Sequence, residues 1–356
     1  MTTRAFAYYR LPHQQEIHLV RQCGEAAPVS GGFSVLDEVR GFVIAPFSLS
    51  DDCPMCWILP DEERLSDMRD ESLMRAWCDE ACAGMSGMGE GEPTEDVRAE
   101  YGRSFNRFHQ AVCQGRFEKL VLARQDTQRD RGAHPVTLFL RACQCYPRMF
   151  ISLFYAPQCG LWLTATPELL LEREAEAWHT VALAGTMRNQ DTDTLVWSMK
   201  NRGEQLIVAD YVARLLGSFA DSICQTEPQT VHAAHLLHLR TDFRFTLRDD
   251  VSVGSLVEAL HPTPAVCGLP KETARDFILE QEPCRRRYYS GFAGPWQLQG
   301  GSHLFVSLRC MTRQQNGWLL FAGGGIVPDS EEFAEWNETE EKLLTMRKLF
   351  TLNIER

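Results

Sequence analysis

No run in this chain approaches the roughly 18 uncharged apolar residues that a membrane-spanning helix requires. The first residues, MTTRAFAYYRLPHQQE, also lack the apolar core of a secretory signal. Both absences lead to the expectation of a soluble, cytoplasmic protein with no membrane partner. Basic clusters are scarce as well. No Lys/Arg block is longer than Arg285-Arg286-Arg287, and the formal charge is −12. A nucleic-acid backbone has to be met by a basic face, so nucleic acid is not expected as a partner. Internal repeats and low-complexity tracts are missing. Cys53-Pro-Met-Cys56 has no second C-x-x-C to complete a structural zinc site, and Cys143 and Cys145 are too close for helical ligand geometry. An odd total of 13 cysteines suits a reducing compartment, where the thiols are packing residues.

Core-forming material, by contrast, is plentiful. With 356 residues, 44% apolar and 24% charged, the chain is large enough for one big domain or two ordinary ones. The glycines of GMSGMGEG (84–91) and the polar run after them mark a linker. It separates an N-terminal portion, 1–95, from a body, 96–356. In the first portion, 41–47 and 56–59 read as strands and 65–82 as a helix. In the body, 105–114, 136–146, 195–219 and 331–350 read as helices. Strands are expected at 117–124, 149–155, 161–165, 304–311 and 318–321. Adjacent strand pairs between long helices predict an α+β or mixed α/β body rather than a βαβ repeat.

Several polar residues stand where apolar ones are expected. In FEKLVLAR, period-two alternation puts Lys119 on the face of Phe117, Val121 and Ala123. A lysine there is either a desolvated base or a snorkelling side chain. Thr166-Pro167-Glu168 has the chemistry of a helix start, with Thr166 as N-cap and Glu168 in the first turn. Glu168 acts as a general acid only if burial or a neighbouring anion raises its proton affinity. Glu204 shares one helical stripe with Val208, Val212, Leu215 and Phe219, which requires pairing or a metal. His232, His235 and His238 recur every three residues and read as partly buried histidines on one helical edge.

The segment GGGIVPDSEEFAEWNET (323–339) is the most informative stretch. Three glycines let backbone approach a ligand closely. Glu335 and Glu338, three apart on a helix, reach one hard cation or else form a solvated face, with Glu338–Lys342 an ordinary exposed pair. Phe333, Trp336, Leu343 and Phe350 form a separate apolar stripe.

In order, EKLVLAR (118–124), TPELLLERE (166–174), ALAGTMR (182–188), KNRGEQLIVADYV (200–212), HPTPAVCGLPK (261–271), RRRYYSGFAGPW (285–296), SLRC (307–310), FAGGGIVPDS (321–330) and EWNETEEKL (335–343) resemble the chorismate-utilising enzymes. The resemblance covers roughly 100–350. It implies a single large α/β (α+β) domain with two stacked β-sheets flanked by helices, the first 95 residues packing onto the same fold. It further implies a Mg²⁺ site and chorismate as substrate. Glu204 and Glu338 correspond to the metal carboxylates, with Glu335 alongside. Arg309, Gly323, Gly324, Gly185, Thr186 and Lys342 correspond to carboxylate-binding positions, and His261 to a substrate-side residue. Lys119 stands where water-adding members carry a lysine and the ammonia-using type carries glutamine. Ala265 matches isochorismate formation without pyruvate elimination. The reaction implied is isochorismate synthesis, in which Lys119, as a free amine, takes a proton from the attacking water and Glu168 protonates the departing C4 hydroxyl. Salicylate synthase and an anthranilate-type subunit are the alternatives. A monomer needing no glutaminase subunit is expected, with menaquinone or siderophore synthesis as its setting.

Overall fold

Long runs of alternating and continuous apolar residues pair into two antiparallel sheets. The chain is seen here in a computed structural model that describes residues 2–25, 27–67, 70–83, 96–129, 132–188 and 196–351. The first sheet has nine strands in the order Gly268–Leu269, Lys119–Arg129, Gly317–Ile326, Cys310–Gln314, Gly160–Thr166, Phe150–Ala156, Thr3–Arg10, Ile17–Cys23 and Glu62–Ser66. The second runs Ala220–Gln225, Leu236–Leu247, Ala177–Arg188, Leu169–Glu174, Ser302–Val306, Phe292–Trp296, Gly41–Ala45, Met55–Ile58 and Val29–Ser30, with Gln229–Ala233 also on Leu236–Leu247. Every strand pairing among the described residues is antiparallel.

The sheets face one another across an aromatic-rich core, as in a β-sandwich. Phe150 of the first stacks on Phe305 of the second with centroids 4.2 Å apart, and Phe42 meets Phe154 at 5.6 Å. Seven α-helices lie among the described residues: α1 (Glu71–Cys82), α2 (Val97–Cys113), α3 (Pro135–Cys145), α4 (Met199–Leu216), α5 (Val253–Leu260), α6 (Lys271–Gln281) and α7 (Glu332–Arg347). Helices α1 and α3 cover Phe6, Tyr8, Ile151 and Leu153 on the outer face of the first sheet. Helices α2 and α6 cover Leu120 and Leu122, and α4 packs on the second sheet. Strands from the first 66 residues enter both sheets. Thr3–Arg10 lies between Phe150–Ala156 and Ile17–Cys23, while Gly41–Ala45 pairs with Phe292–Trp296.

The predicted two-sheet architecture is present, but several elements differ from expectation. The predicted linker at 84–91 lies outside the described residues. The 65–82 helix divides into the end of a strand and α1, and the 195–219 helix is shorter, Met199–Leu216. No helix begins at Thr166. The Thr166 hydroxyl does accept from the Glu168 N–H (3.2 Å), the expected capping bond, yet the chain continues into strand Leu169–Glu174. Leu169, Leu170 and Leu171 are all buried, so an extended run satisfies them between layers. Residues 304–311 are not one strand, because the ladder breaks after Val306 and resumes at Cys310 in the other sheet. Arg309 sits in the break with φ +44°. The histidines of 232–238 lie on a hairpin, Gln229–Ala233 to Leu236–Leu247, whose turn uses Ala234 at φ +56°. No helix among the described residues is long and apolar enough to cross a membrane.

Candidate active site

Two crossovers between the sheets create the site. At 167–168 the chain passes from the first sheet to the second, and at 307–309 it returns. These passages deliver Glu168 and Arg309 to a cleft between the layers. The cleft is lined on one side by Val121, Gly323 and Gly325 of the first sheet. On the other lie Leu183, Ala184, Gly185, Thr186 and His238 of the second. Glu204 of α4, Lys342 of α7, Ala265, Val266, Tyr289 and Leu308 complete it.

Glu168 is 2% exposed, and its carboxyl is pushed up to about 7. Burial is the cause, opposed by a hydrogen bond that the Thr263 hydroxyl donates (3.2 Å) and by the charges of Lys119, Arg309 and Lys342. A carboxyl so placed can hold a proton near neutrality and give it to a neighbouring leaving group. Lys119 is fully buried on the inward face of its strand with Val121 and Ala123, as the alternation predicted. Phe117, by contrast, precedes the strand and packs with Leu120 and Leu122 on the other face. The Lys119 Nζ pairs with Glu204 Oε1 at 2.8 Å, which answers the need of the Glu204 stripe for a partner.

The glycine run forms the opposite wall. A Cβ on Gly325 would overlap Glu204 Oε1 and come within 2.9 Å of Lys119 Cε, and one on Gly323 would lie 2.7 Å from the Tyr289 hydroxyl. A Cβ on Gly324 would lie 3.3 Å from Glu335 Oε2 and 4.0 Å from Glu338 Oε1. Glycine permits this approach without displacing those side chains. Both carboxylates of α7 thus reach a common point beside the strand. Lys342 Nζ bonds Glu338 Oε1 (2.6 Å) and the Gly323 carbonyl (2.7 Å), and Lys200 pairs with Glu335. Burial raises the Glu335 carboxyl and the Glu338 charge adds to it. For Glu338 burial acts upward, but the Lys342 ammonium outweighs it and holds the group low.

Helix α7 therefore faces the protein differently from expectation. Glu335, Thr339 and Lys342 are buried, whereas Phe333, placed in the apolar stripe, is 70% exposed. The Glu338–Lys342 pair is not an ordinary exposed one, because its polar face closes the cleft.

Gly185 (φ +73°) sits at a register shift between Ala184 and Thr186, a bulge that turns its carbonyl to His238 Nδ1 at 2.9 Å. With Nδ1–H donating there, His238 Nε2 accepts from Arg309 Nη2 at 3.2 Å. Burial, and then the Arg309 charge, lowers His238 to about 3, so the ring is neutral and orients the guanidinium. Sequence reasoning set His238 aside with its neighbours. The usable signal was strand parity, which turns His238 inward beside Thr186. His261 does not join the cluster. Its ring packs between Phe33 and Phe292, its Nε2 bonds the Pro46 carbonyl at 2.9 Å, and burial lowers it to about 4.

The carboxylates of Glu204, Glu335 and Glu338 are the residues suited to a hard cation. Glu335 Oε2 is buried and makes no hydrogen bond among the described residues, which leaves it available as a ligand. No three described His, Cys, Asp or Glu residues already enclose a metal position, since each of these carboxylates is turned to its own lysine.

Residues 85–351 match the family described as "Chorismate binding enzyme". Isochorismate synthase EntC of Escherichia coli (strain K12) is 34% identical over 203 residues, covering 54% of this chain and 52% of EntC. Isochorismate synthase MenF of the same organism is 32% identical over 258 residues, 68% of this chain and 58% of MenF. The matches thus span little more than half the length of these relatives. The crystal structure of DhbC from Bacillus anthracis has the same fold, with a TM-score of 0.80 at 23% identity over 99% of this chain and 98% of that one.

Proposed function

Because the chain belongs to the chorismate binding enzyme family, we propose that it is a Mg²⁺-dependent isochorismate synthase. Lys119, as a free amine, takes a proton from a water whose oxygen bonds to C2 of chorismate. The ring double bonds shift, the C4–O bond breaks, and Glu168 gives its proton to the departing hydroxyl. One water enters and one leaves, so the reaction is an isomerisation. The observation that carries this reading is a buried carboxyl held near neutrality at Glu168, in a cleft whose other wall holds Lys119 behind Glu204. Arg309, oriented by His238, and Lys342 supply positive charge for the carboxylates of the substrate. Gly185, Thr186, Gly323 and Gly324 give backbone approach. Glu204, Glu335 and Glu338 would hold the magnesium ion, which supplies charge neutralisation for a bound carboxylate. Ala265 on the cleft wall supports release of isochorismate rather than pyruvate elimination. Menaquinone or siderophore assembly would use the product.

Chromatography of a chorismate and Mg²⁺ incubation tests the reading. Isochorismate is expected without pyruvate, and Lys119→Ala and Glu168→Gln each lower kcat on the order of a thousandfold. Pyruvate with a fluorescent aromatic product would assign a salicylate synthase instead. Undiminished turnover by either variant would remove that residue from the chemistry.

A further inference from the structure

Three lysine side chains answer three carboxylates around the glycine strand: Lys119 with Glu204, Lys342 with Glu338 and Lys200 with Glu335. Lys119 and Lys342 already have places in the reaction described above; Lys200 has none. It is the second residue of α4, one turn before Glu204 on the same face, so one helix brings both a carboxylate and a cation to the cluster. An ammonium in the first turn of a helix lies against the helix dipole. Glu335, from α7, offers it a strong compensating partner. That carboxylate is 1% exposed, with Oε1 held by Lys200 and Oε2 without a hydrogen bond. Lys200 itself is only partly covered, its side chain 26% exposed, so it has solvent to retreat into.

We propose that Lys200 is the internal competitor of the divalent cation: it occupies Glu335 and sets how tightly the metal is held. The inference rests on the reading of Glu204, Glu335 and Glu338 as the magnesium carboxylates. With Lys119 as the free amine the reaction needs, two ammonium groups face three carboxylates, so the lysines cancel most of the charge that would draw in a cation. Removing Lys200 makes the cluster one unit more negative and releases Glu335 Oε1 as a second donor oxygen beside Oε2. Affinity therefore rises when Lys200 is neutralised, whereas a lysine that merely props Glu335 in place would make it fall. The arrangement sets affinity low enough for the cation to exchange while keeping the buried carboxylates paired.

Calorimetric titration of the chelator-treated full chain with Mg²⁺ alone, and with Mn²⁺ alone, tests the proposal without substrate. Lys200→Met is expected to bind either ion on the order of tenfold more tightly than the unaltered protein. Lys200→Gln serves as the second variant should the first fold poorly. Lys348→Met, the same charge change at an exposed residue beyond α7, should leave the affinity unaltered. Thermal melts give an independent readout: Mg²⁺ should raise Tm more in Lys200→Met than in the unaltered chain. Equal or weaker binding by both Lys200 variants would overturn the proposal while leaving the magnesium site standing. Failure of the unaltered protein to bind either ion would overturn both.

Discussion

Glu168 shows what a single side chain can carry. Its carboxyl lies at about 7 against an ordinary 4.5 because burial disfavours the anion, and a hydrogen bond from the Thr263 hydroxyl pulls it back. Removing that donor in Thr263→Val should move the alkaline limb of the kcat/KM profile to higher pH, whereas Thr263→Ser keeps it in place. A pH–rate series over both variants checks this. The same shift links folding to protons: the folded state binds one that the unfolded chain gives up. The contribution is fully present below about 4.5 and is lost as pH rises through about 7. The stability difference between Glu168→Gln and the unaltered protein should therefore move in favour of the variant by up to about 3 kcal/mol between pH 5 and pH 8, measured by urea unfolding. In the sequence, the identity of Glu168 was legible but its setting was not. Thr-Pro-Glu carries capping chemistry that a helix and a tight turn share, and only the unbroken burial of Leu169–Leu171 tells them apart.

Among the elements, the strand Gly317–Ile326 supplies the glycine wall and helix α7 three of the six ionisable groups beside it, Glu335, Glu338 and Lys342. The glycines were visible as an invitation to close approach, and they divide by what a Cβ would strike. At Gly325 it would strike the side chains of Glu204 and Lys119, whereas at Gly291 it would overlap the backbone carbonyl of Ala45. Gly325→Ala is thus expected to abolish turnover with a near-normal melt, and Gly291→Ala to lower Tm sharply; paired assays and melts distinguish them. The orientation of α7 was not legible, because period 3.6 identifies which residues share a face but not which face is covered. Here the cleft draws the charged face inward and leaves Phe333 outside. A second ionic knot ties the strands of the other sheet. His179 bridges Glu172 (2.6 Å) and Asp242 (2.7 Å), and His303 bonds the second oxygen of Glu172 at 2.8 Å. Burial alone would lower His179, but the two carboxylates outweigh it and raise the imidazole. Replacing it in His179→Ala leaves both anions short of a donor and should cost about 3 kcal/mol of unfolding free energy, read from urea unfolding at pH 6.

For the molecule as a whole, the body from residue 96 onward carried every recognisable motif, while the first 95 residues carried none. Their strands nonetheless extend both sheets, with Thr3–Arg10 capping Phe150–Ala156 and Gly41–Ala45 capping Phe292–Trp296. Such strands are hard to recognise locally, since their significance lies in partners more than a hundred residues away. A chain beginning at residue 97 should lose cooperative melting and aggregate through the two bared edges, an outcome sedimentation and circular dichroism would register. The crossovers at 167–168 and 307–309 carry a different consequence. Glu168 and the Arg309 guanidinium are fastened at the seam of two slabs, so a sideways slip of one slab on the other moves them apart while each slab keeps its own ladder. Heating should therefore silence the enzyme some degrees before it unravels.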